Sequence, residues 1–280
     1  MARLFVEQLT VIDASRLDPV GGLVGVSWLV DVELAGTLDA QGMVLDFGHI
    51  KRDLKAAIDA EVDHRLLVPA ETASVQYTAG RVAVHHASER GPLRLEAPAL
   101  AVAVLPGDRT DRDAVAHHLQ ACLEARLPAN VEGFAIRLRE EVIDGPWYAY
   151  SHGLEAHDGA CQRIAHGHRS RVVIERDGVR APDWEAYWAQ RWENVFLGTR
   201  SHRVATRERD GVACHTFRYQ AREGVFELEL PAAACDLLEA ETTVERIADH
   251  MVAVMAAAEP GARFRVCAFE GVGKGAIALT

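Results

Sequence analysis

The chain repeats itself once. Glu89-Arg90-Gly91-Pro92-Leu93-Arg94-Leu95-Glu96-Ala97-Pro98 is matched by Arg222-Glu223-Gly224-Val225-Phe226-Glu227-Leu228-Glu229-Leu230-Pro231. Each segment closes on a proline, and twelve residues after each proline stands a threonine, Thr110 or Thr243, ahead of a helical pattern. Each half then ends in an alternating segment closed by an acid, Ile136-Arg137-Leu138-Arg139-Glu140 and Val266-Cys267-Ala268-Phe269-Glu270. A repeat constrains the fold more than local propensity does, because the second copy must rebuild whatever unit the first one builds. Two copies are too few for a solenoid, so the pattern predicts a tandem duplication with units at 1–145 and 146–280. No Pro/Ser-rich linker separates them, and the units are expected to pack closely.

Within each unit, strand and helix patterns alternate. In the first, Trp28–Leu34 alternates apolar and polar residues and reads as a strand. Asp46 can cap a helix in which Ile50, Leu54, Ala57 and Ile58 share one face. Arg81–His85 and Leu93–Ala97 read as a hairpin, and a second helix is expected from Thr110, with Val115 and Leu119 on its apolar face. In the second unit, Arg171–Glu175 reads as a strand and Asp183-Trp184 opens a helix. Val244, Ile247, Ala248, Met251, Val252 and Met255 form a helical stripe best explained as core packing. This order predicts an α+β fold, with helices on one face of a mostly antiparallel sheet.

Composition narrows the function classes. The net charge of −11 argues against nucleic acid as the main partner, since phosphate binding needs a basic surface. It leaves room for a small anionic substrate in a locally basic pocket. No long apolar run suggests a membrane span, and the first residues lack a signal-peptide core. Five scattered cysteines do not read as a disulfide framework, so a reducing, cytoplasmic setting is expected.

Chemistry concentrates in Cys161-Gln162-Arg163-Ile164-Ala165-His166-Gly167-His168, shortly after His152 and His157. On a strand, His166 and His168 would aim both imidazoles at one point, with Gly167 leaving room. His152 as a third ligand would give zinc three protein donors and an open position, the arrangement that catalysis uses. The bland alternative is a His-rich surface turn. Gly271-Val272-Gly273-Lys274-Gly275 is not a P-loop, since no Ser or Thr follows the lysine, although Lys274 could meet phosphate.

Tyr150-Ser151-His152, Gly159-Ala160-Cys161 and His166-Gly167-His168 together resemble the zinc motif of the 6-pyruvoyl-tetrahydropterin synthase and 6-carboxytetrahydropterin synthase family. The first unit is similar to other parts of that family, in Val44-Leu45-Asp46-Phe47, in Val62-Asp63-His64 and in Glu140. The resemblance implies tandem tunnelling-type (T-fold) units and a lyase acting on 7,8-dihydroneopterin triphosphate. It implies Zn2+ on His152, His166 and His168, Cys161 as general base, and Asp63 orienting His64 as proton donor. Either Glu140 or Glu270 would bind the pterin N–H edge. A homo-oligomer is implied as well, a trimer of tandem chains or a multiple of it. The carboxy branch, toward queuosine-type deazapurines, is preferred over the pyruvoyl branch.

The departures from the family pattern are complementary. The zinc positions of the first unit align with Ser15, Val24 and Val26, and the Asp-His pair of the second with Ser201-His202. The first unit would therefore supply Asp63 and His64, and the second zinc and Cys161, to one composite site. The alternative is a non-catalytic pterin- or purine-binding protein with a structural zinc, which would have little need of Cys161 and Asp63-His64. A zinc hydrolase is disfavoured, because no Glu adjoins the histidines as in His-Glu-x-x-His.

Overall fold

The computed structural model describes residues 1–280, apart from the side chain of His49. The first half runs β1 (Ala2–Asp18), β2 (Gly22–Gly36), α1 (Phe47–Glu61), β3 (Leu66–Pro69), β4 (Ser74–Thr78), β5 (Arg81–Ser88), β6 (Gly91–Pro98), β7 (Val102–Leu105), α2 (Arg112–Glu124) and β8 (Val131–Glu140). The second runs β9 (Trp147–His152), β10 (His166–Arg176), β11 (Val179–Arg180), α3 (Pro182–Arg191), β12 (Glu193–Thr199), β13 (Arg203–Arg209), β14 (Val212–Ala221), β15 (Gly224–Pro231), β16 (Cys235–Leu238), α4 (Val244–Ala258), β17 (Phe264–Phe269) and β18 (Gly275–Leu279). None of the described helices is long and apolar enough to cross a membrane.

The repeat in the sequence is a repeat in topology. One sheet is ordered β7-β3-β1-β2-β8, and another β16-β12-β9-β10-β17, extended by β18. The architecture is α+β, with each sheet mixed: β1 and β2 are antiparallel, as are β2 and β8, whereas β1, β3 and β7 run parallel. Strand β2 returns antiparallel to β1, and the connection through α1 then enters β3 alongside β1, opposite in direction to β2. In the first half, Ile50, Leu54 and Ile58 of α1 and Val115, Leu119 and Leu123 of α2 pack on β1 and β2. In the second, Ile247, Ala248, Met251, Val252 and Met255 of α4 do the same over β9, β10 and β17. Full burial of such side chains stabilises by roughly 1.5–3 kcal/mol each. Helix α2 begins later than the sequence suggests. Asp111 is its cap, accepting from Ala114 N at 2.9 Å, because the Thr110 hydroxyl is spent on Leu17 O at 2.8 Å.

The halves are joined in two ways. Strands β13-β14-β15 and β6-β5-β4 form one six-stranded sheet, closed at the centre by Leu228 opposite Leu95. One core cluster draws Leu17, Val84 and Leu95 from the first half and Phe196, Phe217 and Phe226 from the second. Elsewhere the β1–β2 hairpin lies directly on the β9–β10 hairpin. Sheets normally stack about 10 Å apart because side chains fill the gap. Here the crossing is made of glycines. A Cβ on Gly25 would lie 2.1 Å from Tyr150 O, and one on Gly167 would lie 2.7 Å from Gly25 Cα. Beside them the Ser15 and Ser151 hydroxyls hydrogen-bond at 2.6 Å in full burial.

Replacing Gly25 with alanine should therefore destabilise the protein by about 3 kcal/mol or more, since neither backbone can retreat without breaking its ladder. Gly133→Ala, whose Cβ would meet Ala35 at an ordinary 3.5 Å, should stay within about 1 kcal/mol of the parent. Thermal and denaturant unfolding of the two variants check this, and equal stability would refute the close crossing.

Candidate active site and metal centre

Strand β9 ends at His152, directly opposite His166 at the start of β10, and His168 lies two residues on, on the same face. The ring centroids are 4.4 Å apart for His152 and His166, 5.3 Å for His152 and His168, and 5.4 Å for His166 and His168. All three rings are buried. Each Nδ1 faces a polar neighbour. His152 Nδ1 lies 3.0 Å from Thr242 O, His166 Nδ1 2.9 Å from Arg163 O, and His168 Nδ1 3.2 Å from Asp13 Oδ1. Each Nε2 is buried without a hydrogen-bond partner. One orphaned buried nitrogen costs about 1–3 kcal/mol. Three on rings packed against one another are explained by a shared cation, since one donor atom from each lies within 4.8 Å of the others. Imidazole ligands whose second nitrogen is held by a carbonyl or carboxylate are the donor set that zinc uses, so the residues fit the ion. Burial, followed by the neighbouring imidazoles, pushes His152 and His166 well below the ordinary histidine range, which keeps these rings in the neutral, ligating form.

The first half supplies the next pair. His64 sits in the turn after α1 at φ 52°, a left-handed conformation that histidine tolerates better than most residues. Its Nδ1 lies 2.6 Å from Asp63 Oδ2, while Asp63 Oδ1 accepts from Asp13 N at 2.8 Å. Burial works against protonation of His64, but Asp63 and Cys161 outweigh it and raise the ring to about 10. The His64 ring is 5.1 Å from that of His166. Cys161, on the short helical turn Ala160–Gln162, brings its sulfur into the same group, with donor atoms of His64, Cys161 and His166 within 4.8 Å of one another. Asp63, His64, Cys161, His152, His166 and His168 thus converge on one locality, across the junction of the halves.

Several residues of this locality were not picked out from the sequence. Asp13 faces His168, bonds to the Ser27 hydroxyl and lies 3.6 Å from Lys274 Nζ. Burial opposes its ionisation, but His168, Lys274 and Ser27 prevail and hold its carboxyl at about 2. The available signal was an acid between Ile12 and Ala14, inside a strand whose neighbours are buried. Thr242 and Arg163 orient His152 and His166 through backbone carbonyls, which no side-chain pattern reveals. Of the two terminal acids, Glu270 is beside the imidazoles, with Oε1 3.9 Å from His168 Nε2 and Oε2 3.7 Å from Lys274 Nζ. Glu140 instead faces Arg169 at 3.6 Å, away from this group.

Strand register identifies the counterparts of these residues. Ser15 pairs with Gly25 as Ser151 pairs with Gly167. His152, His166 and His168 therefore correspond to Arg16, Val24 and Val26, and Ser15 is the counterpart of Ser151, not of a zinc ligand. Valine has no donor atom and arginine stays protonated, so the first half cannot hold the same ion. Likewise Leu66 pairs with Ser15 as Phe196 pairs with Ser151, which makes Glu193-Asn194 the counterpart of Asp63-His64. Asn194 shares the left-handed turn of His64, at φ 53°. The Ser201-His202 alignment fails because the helix of the second half is shorter and the pair lies beyond β12. Arg16, Val24, Val26, Asn194, Glu140 and Arg169 line a separate cavity of about 430 Å³, the altered twin of the His-rich site.

Residues 21–142 match the family model described as 6-pyruvoyl tetrahydropterin synthase. Among solved structures, the 6-pyruvoyl tetrahydropterin synthase of Plasmodium vivax is 16% identical, over 49% of this chain and 97% of its own, with a TM-score of 0.38. That of Plasmodium falciparum is 15% identical over the same shares, also at 0.38. A comparison with curated proteins found no match.

On metal-replete protein, His166→Ala/His168→Ala should lose one equivalent of zinc per chain, read by elemental mass spectrometry. Zinc content unchanged by the double variant would remove the three-imidazole centre.

Proposed function

We propose, from residues 21–142 forming a domain of the 6-pyruvoyl tetrahydropterin synthase family, that the chain is a zinc-dependent tetrahydropterin synthase-like lyase. Its substrate in this reading is 7,8-dihydroneopterin triphosphate. The 6-carboxytetrahydropterin product is the first to test, and the 6-pyruvoyl product the second. The units are 1–145 and 146–280, and one composite site draws on both. The observation that carries this reading is the set of three unpartnered Nε2 atoms beside the Asp63–His64 pair and Cys161.

Bound by His152, His166 and His168, zinc would supply Lewis-acid polarisation of a substrate oxygen. Asp63 holds the Nδ1 side of His64, so Nε2 is the working nitrogen, and the ring carries its proton at neutral pH. Cys161 Sγ takes a proton from the substrate side chain while His64 returns one, a pairing that general acid–base catalysis requires. Glu270 receives the pterin N–H edge, and Lys274 holds that carboxylate in place from 3.7 Å.

Strands β4 and β13 are the unpaired edges of the six-stranded sheet, with Tyr77 and Val204 exposed on them. Long open edges invite pairing with another chain. Three chains joined edge to edge would close a ring, giving a homotrimer or a multiple of it. Light scattering should return three times the 30.6 kDa chain mass or a multiple of that, and a monomer would refute the ring.

The deciding experiment is turnover of dihydroneopterin triphosphate by the parent and by Asp63→Ala. The variant should keep its zinc and lose turnover by about 10²–10⁴-fold. Unchanged turnover would sink the composite site. Tight pterin binding without turnover in the parent would favour a non-catalytic binding protein.

A further inference from the structure

Glu155, His202 and Glu241 form a second group of metal-ligating side chains, whose donor atoms lie within 4.8 Å of one another. They come from three places in the second half. Glu155 is on the connection from β9 to β10, His202 follows β12, and Glu241 precedes α4. Both carboxylates point at the same atom, His202 Nε2, at 2.9 Å for Glu155 Oε2 and 3.8 Å for Glu241 Oε1. An imidazole nitrogen carries at most one proton, so it can donate to only one of them. Among the described residues neither acid forms an ion pair with an arginine or lysine. Two like charges thus converge on one ring edge with a single proton between them, an arrangement that a divalent cation in place of that proton would relieve. Oxygen and nitrogen donors that share one tetrahedral zinc lie roughly 3.3 Å apart, for bonds of about 2.0–2.1 Å. The two measured separations bracket that value.

The cluster is not a by-product of the repeated fold. The first half turns from β1 to β2 through Pro19–Gly21 alone, so nothing there corresponds to Glu155. Its position matters because of what adjoins it. Leu154 N, next to Glu155, donates to Cys161 O at 2.9 Å. Thr242, next to Glu241, is the partner of His152 Nδ1. The ring of Tyr219 lies 5.0 Å from that of His202, and its hydroxyl donates to Gln162 O at 2.7 Å. Whatever fixes the cluster therefore fixes both ends of the loop that presents Cys161.

We propose that Glu155, His202 and Glu241 bind a second divalent cation of the zinc class, which braces the Cys161 loop against the start of α4. Glu155 and Glu241 are partly exposed, so water can complete the coordination.

The test uses Zn2+ as the probe on the intact protein. Elemental analysis after equilibration and dialysis should give two zinc per chain in the parent and one in Glu155→Gln/Glu241→Gln. His166→Ala/His168→Ala should also keep one, and the combined variant none. Amide exchange adds a readout independent of activity. Zinc should slow exchange at Leu154 about tenfold in His166→Ala/His168→Ala, and not when the two glutamines are added. One zinc in the parent, undiminished by Glu155→Gln/Glu241→Gln, would overturn the proposal, as would exchange at Leu154 that ignores zinc. Neither result would touch the three-imidazole centre, which is read by its own variant.

Discussion

Two glycines decide where everything else in this molecule can be. Gly25 and Gly167 let the β1–β2 and β9–β10 hairpins touch backbone to backbone, with no room for a Cβ at either position. At ordinary sheet spacing, side chains would separate the two layers, and Asp13 on β1 could not reach His168 on β10. The contact instead leaves them 3.2 Å apart, and Arg169 N donates to Ser27 Oγ beside them. The site depends on that proximity, because the halves each carry only part of the chemistry.

The crossing is pseudo-symmetric, so it creates two equivalent places. One gathered three imidazoles, Glu270, Asp63 and His64 around it. The other holds Arg16, Val24, Val26, Glu140 and Asn194. The acid at the end of the last strand is common to both, while three imidazoles and the Asp-His pair occur together only in the first. Since each place draws strands from one half and the post-helix turn from the other, the half without the imidazoles and the half without the Asp-His pair meet at the same place, and its twin holds both. The loop Gly153–Ala165 adds a further asymmetry, since it carries Cys161 and Glu155 where the first half has a tight turn.

Much of this was legible in the chain itself. The match of Glu89–Pro98 to Arg222–Pro231 reflects two equivalent hairpins, β5–β6 and β14–β15, because turn chemistry and alternation are local properties. His166 and His168 sharing a face follows from the period of a strand. The apolar stripes on α1 and α4 are buried, as their spacing requires. Counterparts across the repeat were harder. Ser15 was aligned with a zinc ligand in place of Arg16, and Ser201-His202 with Asp63-His64 in place of Glu193-Asn194. Those errors are shifts of one residue and of eight, and only hydrogen-bonded register resolves them, since side-chain patterns drift once loops change length.

The sequence by itself determined the repeat, the α+β character of the fold and the identity of the donor atoms, because these depend on periodicity and on chemistry that a residue carries wherever it lies. The tertiary structure decided which donors meet. Asp13, Thr242 and Arg163 act on the imidazoles through space and through backbone carbonyls. That Glu270 and not Glu140 lies beside the imidazoles likewise depends on which twin of the crossing each acid faces. Such pairings span from a few to more than a hundred residues of chain, and they are fixed by packing at two glycines, a distance relation that no local stretch of sequence contains.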